Sequence, residues 1–153
     1  DFACPTVEVT GGEQLLQPAV HPLLTRLADE FATVLLETSG AAPIDQVDPR
    51  VVRIVDVKCP GSGEAERNHW PNLDRLTPRD EVKFVLADRA DYDWAKDVLA
   101  RYDLAARCPV LFSPVHGRLA PLALTEWLLA DRLNVRLGLQ LHKFVWPADT
   151  RGV

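Results

Sequence analysis

No methionine occurs in the 153 residues, and cysteine occurs only three times. The opening Asp1-Phe2-Ala3-Cys4-Pro5 has neither an initiator residue nor the charged-then-apolar pattern of a signal peptide. With a strand-like segment following at once, this predicts a fragment or processed form of a longer chain. Cys4, Cys59 and Cys108 lie far apart, so no pair has the short spacing of a zinc or iron–sulfur cradle. The low, odd count argues against a secreted disulfide scaffold and predicts small buried or half-buried thiols in a reducing cytoplasm. No apolar run approaches the roughly 18–20 residues of a membrane span. Positive charge is in deficit: 17 Lys and Arg stand against 22 Asp and Glu, a net charge of −5. That balance argues against a surface that coats nucleic acid. What remains is 47% hydrophobic and 25% charged, the make-up of a globular protein, with one domain over 1–153.

Val7-Glu8-Val9-Thr10 alternates and breaks at Gly11-Gly12, the pattern of a strand feeding a glycine turn. Pro18 opens a helix whose apolar face is Val20, Leu23, Leu24, Leu27 and Phe31. Thr33-Val34-Leu35-Leu36-Glu37 reads as a second strand, buried on both faces. A third strand spans 51–58 and ends in the turn Cys59-Pro60-Gly61-Ser62-Gly63, before a long polar loop over 63–79. Val82-Lys83-Phe84-Val85-Leu86 is a fourth strand, and Asp91 is positioned to cap a helix with Trp94, Ala95, Val98, Leu99 and Tyr102 inward. A fifth strand at Val110-Leu111-Phe112 precedes a helix from Pro121 with Leu124, Trp127 and Leu128 inward. Residues 135–141 alternate as a sixth strand, with Val135, Leu137, Leu139 and Leu141 on one side. The order β-α-β-β-β-α-β-α-β implies an α/β fold with a mostly parallel sheet. Both an open doubly wound sheet and part of a β/α barrel fit it.

In parallel α/β folds, ligands sit beyond the carboxyl ends of the strands. Those ends carry Thr10-Gly11-Gly12-Glu13, Glu37-Thr38, Asp56 and Lys58, Ser113-Pro114-Val115-His116-Gly117, and Gln140, His142 and Lys143. Taken singly, a glycine pair marks a turn, Glu13 is a solvated carboxylate, and His142 is a satisfied structural histidine. Glu37 is harder to dismiss, because a carboxylate ending a buried strand needs a partner. So many ionisable groups on one rim predict a pocket.

The segment Val7-Glu8-Val9-Thr10-Gly11-Gly12-Glu13-Gln14-Leu15-Leu16-Gln17 resembles the strand-turn of radical S-adenosylmethionine enzymes. Four later segments narrow the likeness: Leu36-Glu37-Thr38-Ser39-Gly40, residues 56–63, Glu81-Val82-Lys83-Phe84-Val85, and Gln140-Leu141-His142-Lys143 with Arg151-Gly152-Val153. Together and in order they resemble the 7-carboxy-7-deazaguanine synthase family from Val7 to Val153. The resemblance implies a partial (β/α) barrel, a homodimer, S-adenosylmethionine, a [4Fe-4S] cluster and Mg²⁺. It also implies the substrate 6-carboxytetrahydropterin and a one-electron reductant such as flavodoxin. By matched motif, Gly11, Gly12, Glu13, Asp56, Val57, Lys58, Ser113, Pro114, Val115 and His116 would contact or flank the cofactor. Thr10, Glu37, His142 and Val153 would meet the pterin.

Two departures stand out. Gln14 replaces the proline usual after Gly-Gly-Glu, with a small expected effect. The three cluster cysteines and the Mg²⁺-binding residue of the family precede its Gly-Gly-Glu turn, where this sequence has only Cys4. The expectation is a chain corresponding to the C-terminal two thirds of the family's core, with no metal ligands of its own. Two other readings stay open: a non-catalytic pterin- or nucleotide-binding partial barrel, and a related radical enzyme that activates another protein. The ending at Gln140-Leu141-His142-Lys143 and Arg151-Gly152-Val153 disfavours the latter.

Overall fold

The computed structural model describes residues 3–147 and Thr150. Six strands form one sheet: β1 (Thr6–Val9), β2 (Thr33–Thr38), β3 (Val52–Val57), β4 (Glu81–Leu86), β5 (Val110–Pro114) and β6 (Arg136–Leu137). Their spatial order is the chain order, and every neighbouring pair is parallel. A doubly wound sheet reverses direction at a switch point, and this one does not. Of the two architectures the sequence permits, the fold is therefore the open arc of a partial β/α barrel.

The crossovers hold α1 (Val20–Glu30), a short α2 (Pro71–Asp74), α3 (Arg89–Arg101), α4 (Leu104–Arg107) and α5 (Pro121–Asp131). A four-residue α6 (His142–Val145) follows β6. The core lies on one sheet face, where Val34, Leu36, Val55, Val57, Val82, Phe84, Leu86, Val110 and Phe112 meet Leu24, Tyr92, Ala95, Leu124 and Leu128. Phe84 packs edge-on against Phe112 at 5.3 Å and Trp94 at 6.5 Å, while Tyr92 meets Phe112 at 6.0 Å. Such ring pairs add roughly 0.5–1.5 kcal/mol each beyond the area they bury. At the amino end of the sheet, Arg53 clamps Asp80 at 2.5 Å, and both side chains are largely buried.

The opposite, concave face presents Glu8, Leu35, Glu37, Ile54, Asp56, Lys83 and Val85, placed in rows by the parallel registers. Because the concave face is only half-covered, β2 alternates between buried and half-buried residues rather than being buried on both faces.

Other expectations change too. The first helix begins at Val20 rather than Pro18, and Leu23 points outward, 46% exposed. The polar stretch 63–79 is an ordered connection: Leu73 and Leu76 are buried, and buried Asn72 bonds the backbone of Gly40, Ala42 and Ile44. Asp88, not Asp91, caps α3, accepting from the Asp91 N–H at 3.0 Å. The sixth strand is two residues long. It stops where Gly138 donates to the Phe112 carbonyl at 2.9 Å, and a Cβ there would lie 2.7 Å from Ser113 Oγ. After that close approach the chain leaves the sheet, and Leu139 and Leu141 are exposed. Cys59 and Cys108 are buried, but Cys4 is exposed. Burial, then the charge of Asp80, pushes the Cys108 thiol up to about 11; burial and nearby aspartates also raise that of Cys59.

Candidate functional site

The carboxyl ends of β1 and β2 are tied together by Glu13. Its carboxylate accepts the Thr38 hydroxyl at 2.8 and 2.9 Å and the Ser39 N–H at 3.0 Å. It also accepts from the Ser39 hydroxyl and from the Leu15 N–H at 3.2 Å, which starts a short 3-10 turn. Glu13 is thus spent on the chain itself rather than left as a solvated carboxylate, and its bonds fix the glycine turn before it. Gly11 has φ near +111°, a conformation that favours glycine, and a Cβ at Gly11 or Gly12 would meet nothing within 4 Å. Both therefore face open space. Gln14 is buried, donates to the Gly11 carbonyl at 2.6 Å and so braces the turn.

Beside the turn, the Thr10 hydroxyl donates to Glu37 Oε2 at 3.3 Å. Glu37 Oε1 accepts from Lys83 Nζ at 2.7 Å, an ion pair that reaches from β4 across β3 to β2. Glu8 lies near this pair on the edge strand. It is exposed as a residue, yet burial of its carboxyl, then repulsion from Glu37, raises its pKa against the pull of Lys83.

At the end of β3, Lys58 Nζ pairs with Asp56 Oδ2 at 2.6 Å. Asn68 holds the Lys58 backbone from both sides, at 2.9 Å to its N–H and 2.9 Å to its carbonyl. The loop beyond is pinned by buried Asp91, which accepts the Gly61 N–H at 2.7 Å and the Ala87 N–H at 2.9 Å. A side chain at position 61 would lie 2.5 Å from that carboxylate, so the glycine is required by close approach.

These elements wall a cavity of about 310 Å³ whose lining includes Asp56, Val57, Lys58, Val85, Val115 and Gln140. Two buried acceptors on these lining residues, Asp56 Oδ1 and Gln140 Oε1, have no hydrogen-bond partner among the described residues. Unpaired buried acceptors in a cavity suit a ligand bearing hydroxyl or amino donors. An adjoining cleft of about 400 Å³ is lined in part by Pro114, His116, Arg118, Gln140 and Phe144. His116 meets Phe144 edge-on at 5.5 Å, which joins the loop after β5 to α6.

Of the residues singled out in the sequence, the fold joins Thr10 to Glu37 and seats Gly11, Gly12 and Glu13 beside them. It gathers Asp56, Val57, Lys58 and Val115 around one cavity and Pro114 and His116 around the next. Ser113 is buried against the turn at Gly138. His142 lies in α6 rather than on a strand, half-buried, and among the described residues no hydrogen bond or ion pair links it to Thr10 or Glu37. Val153, with Arg151 and Gly152, lies outside the described residues.

Sequence reasoning gave no role to Lys83 or Asn68, and gave Asp91 only the cap of α3 that Asp88 in fact supplies. Lys83 was legible in principle, since a lysine inside an apolar strand needs an anion. Asn68, in a polar loop, carried no such signal. Among the described residues, no group of three His, Cys, Asp or Glu side chains is placed to hold a metal ion, and the three cysteines are not brought together, so they do not fit an iron–sulfur cluster. No helix among them is long and apolar enough to cross a membrane.

No protein-family model matches the chain. It is 49% identical over 155 residues to the 7-carboxy-7-deazaguanine synthase of Chlorobaculum tepidum, an alignment covering 99% of this chain and 70% of that protein. Identity to the synthase of the same name from Koribacter versatilis is 46%, over 96% of this chain and 71% of the relative. The crystal structure of QueE from Escherichia coli superposes with a TM-score of 0.67 at 21% identity, covering 91% of this chain and 57% of that one. That likeness concerns the fold, while the two sequence relatives carry the family. The chain belongs to the 7-carboxy-7-deazaguanine synthase family.

Proposed function

We propose that the chain serves the conversion of 6-carboxy-5,6,7,8-tetrahydropterin to 7-carboxy-7-deazaguanine, a ring contraction with loss of ammonia in 7-deazapurine (queuosine) biosynthesis. The observation that supports this most is the 49% identity to a synthase of that name across 99% of the chain. In this reading the enzyme is a radical S-adenosylmethionine lyase, and the chain is a single unit corresponding to the C-terminal two thirds of its core. It is a cytoplasmic homodimer fed by a one-electron donor such as a flavodoxin.

Gly11, Gly12 and Glu13 form the turn that receives the methionine end of S-adenosylmethionine. Asp56, Val57 and Lys58, with Ser113, Pro114, Val115 and His116, border the rest of it. Asp56 Oδ1, without a hydrogen-bond partner among the described residues, is an acceptor suited to its hydroxyl or amino donors. Thr10, Glu37, His142 and Val153 receive the pterin. When bound, S-adenosylmethionine supplies the carbon-centred oxidant of the reaction. Its reductive opening needs a [4Fe-4S] cluster, which the described residues do not fit. Their part is therefore to bind, orient and exclude water.

Equilibrium dialysis of the chain against S-adenosylmethionine and, separately, 6-carboxypterin tests the reading. Saturable binding of both, one per chain, is expected. Binding of neither would contradict it.

A further inference from the structure

The motif Glu81-Val82-Lys83-Phe84-Val85 marks the chain's likeness, yet nothing so far uses its lysine. Lys83 points to the concave face, where its register partner on β3 is Asp56. Asp56 is already paired with Lys58 at 2.6 Å, and Lys83 instead crosses β3 to Glu37 Oε1 at 2.7 Å. The side chains of Lys83 and Glu37 keep 24% and 28% of their exposure, so the pair is shielded from bulk water but still reachable.

An ionised carboxylate offers about four acceptor positions. Thr10 takes one on Oε2 and Lys83 one on Oε1, which leaves one on each oxygen. Two parallel acceptors, held from opposite strands, match two parallel N–H donors. A pterin presents that pair on its pyrimidinone ring, as N3–H and the 2-amino group. A lumazine, with oxygen in place of the 2-amino group, presents one donor beside an acceptor that a carboxylate repels.

We propose that Lys83 is a positioning residue of the pterin site, fixing Glu37 as a two-oxygen acceptor that selects the amino-pyrimidinone edge of the substrate. The proposal rests on the reading of Glu37 as a pterin contact.

The test is the ratio of affinities for 6-carboxypterin and 6-carboxylumazine, measured by fluorescence titration of the chain and of Lys83→Met, Lys83→Arg and Glu37→Gln. The unaltered chain is expected to prefer the pterin roughly 10-fold or more, the scale of a charge-assisted bond. Lys83→Met should lose that preference while lumazine affinity and the melting temperature hold, and Lys83→Arg should recover it. A general structural role would weaken both ligands together. If Lys83→Met does not fold, Lys83→Gln, which removes the charge but keeps a donor, must show the same loss of preference. A Lys83→Met chain that discriminates as well as the unaltered one overturns the proposal and leaves the pterin reading standing. If the unaltered chain shows no preference, or Glu37→Gln retains it, the pterin reading of Glu37 falls and the role of Lys83 with it.

Discussion

Asp80 is the residue on which the amino end of the sheet turns. It is 1% exposed, and its carboxylate takes the Arg53 guanidinium at 2.5 and 3.0 Å, the Arg53 N–H at 2.9 Å, and the N–H and hydroxyl of Thr77 at 2.7 and 2.8 Å. Burial alone would raise its pKa, but the bonds from Arg53 and Thr77 outweigh that and hold it below the ordinary carboxylate value. A carboxyl lowered in the folded state contributes stability above its unfolded pKa of about 3.9, and that contribution fades as pH falls through the folded value. Asp80→Asn should therefore cost about 3 kcal/mol at pH 7, the scale of a buried pair left with one partner. It should also flatten the acid limb of the stability–pH curve below about pH 4. Urea denaturation from pH 2 to 7 checks this, and an unchanged acid limb would refute the assignment. Asp80 stands between Arg79 and Glu81, so nothing in the sequence marked it for burial, and its partner Arg53, on β3, could be found only from the fold.

Among elements, the connection from β3 to α3 shows what a linear reading can and cannot supply. The strands on either side, the inward face of α3 and the Cys59-to-Gly63 turn follow from apolar period and turn chemistry, and they survive in the structure. The cap of α3 does not, because Asp88 and Asp91 both precede the apolar face and only the end of β4 decides between them. Relieved of capping, Asp91 joins two elements by accepting from Gly61 and Ala87. Asp91→Ala leaves those two N–H groups without their acceptor, at about 1–3 kcal/mol each when buried. A loss near 3 kcal/mol in unfolding free energy is expected, with faster hydrogen exchange at Gly61 and Ala87. Loss of stability without change at Gly61 would mean that the loop is held by something else. The sixth strand failed for a different reason: alternation over 135–141 is real in the sequence, but close approach at Gly138 ends the pairing after two residues.

At the scale of the whole molecule, strand order did what composition could not. Alternating β and α elements left two architectures open, and an all-parallel sheet wound in chain order retains one. That winding puts the glycine turn after β1, Glu37 on β2, Asp56 and Lys58 after β3, and the loop after β5 along one rim. The sequence listed these residues by assuming a parallel sheet; it could not say that Glu13 would be consumed by Thr38 and Ser39, or that Lys83 would reach Glu37. The central claim is that this rim has a cofactor half at Gly11 and Gly12 and a pterin half at Glu37. The most direct measurement is calorimetric titration of S-adenosylmethionine and of 6-carboxypterin into Gly12→Val and Glu37→Gln. A side chain at Gly12 fills the open space beside the turn and should abolish S-adenosylmethionine binding, while pterin affinity stays within about twofold. Glu37→Gln should weaken the pterin roughly 10-fold or more and leave S-adenosylmethionine unchanged. If both variants lose both ligands alike, the division of the rim is wrong.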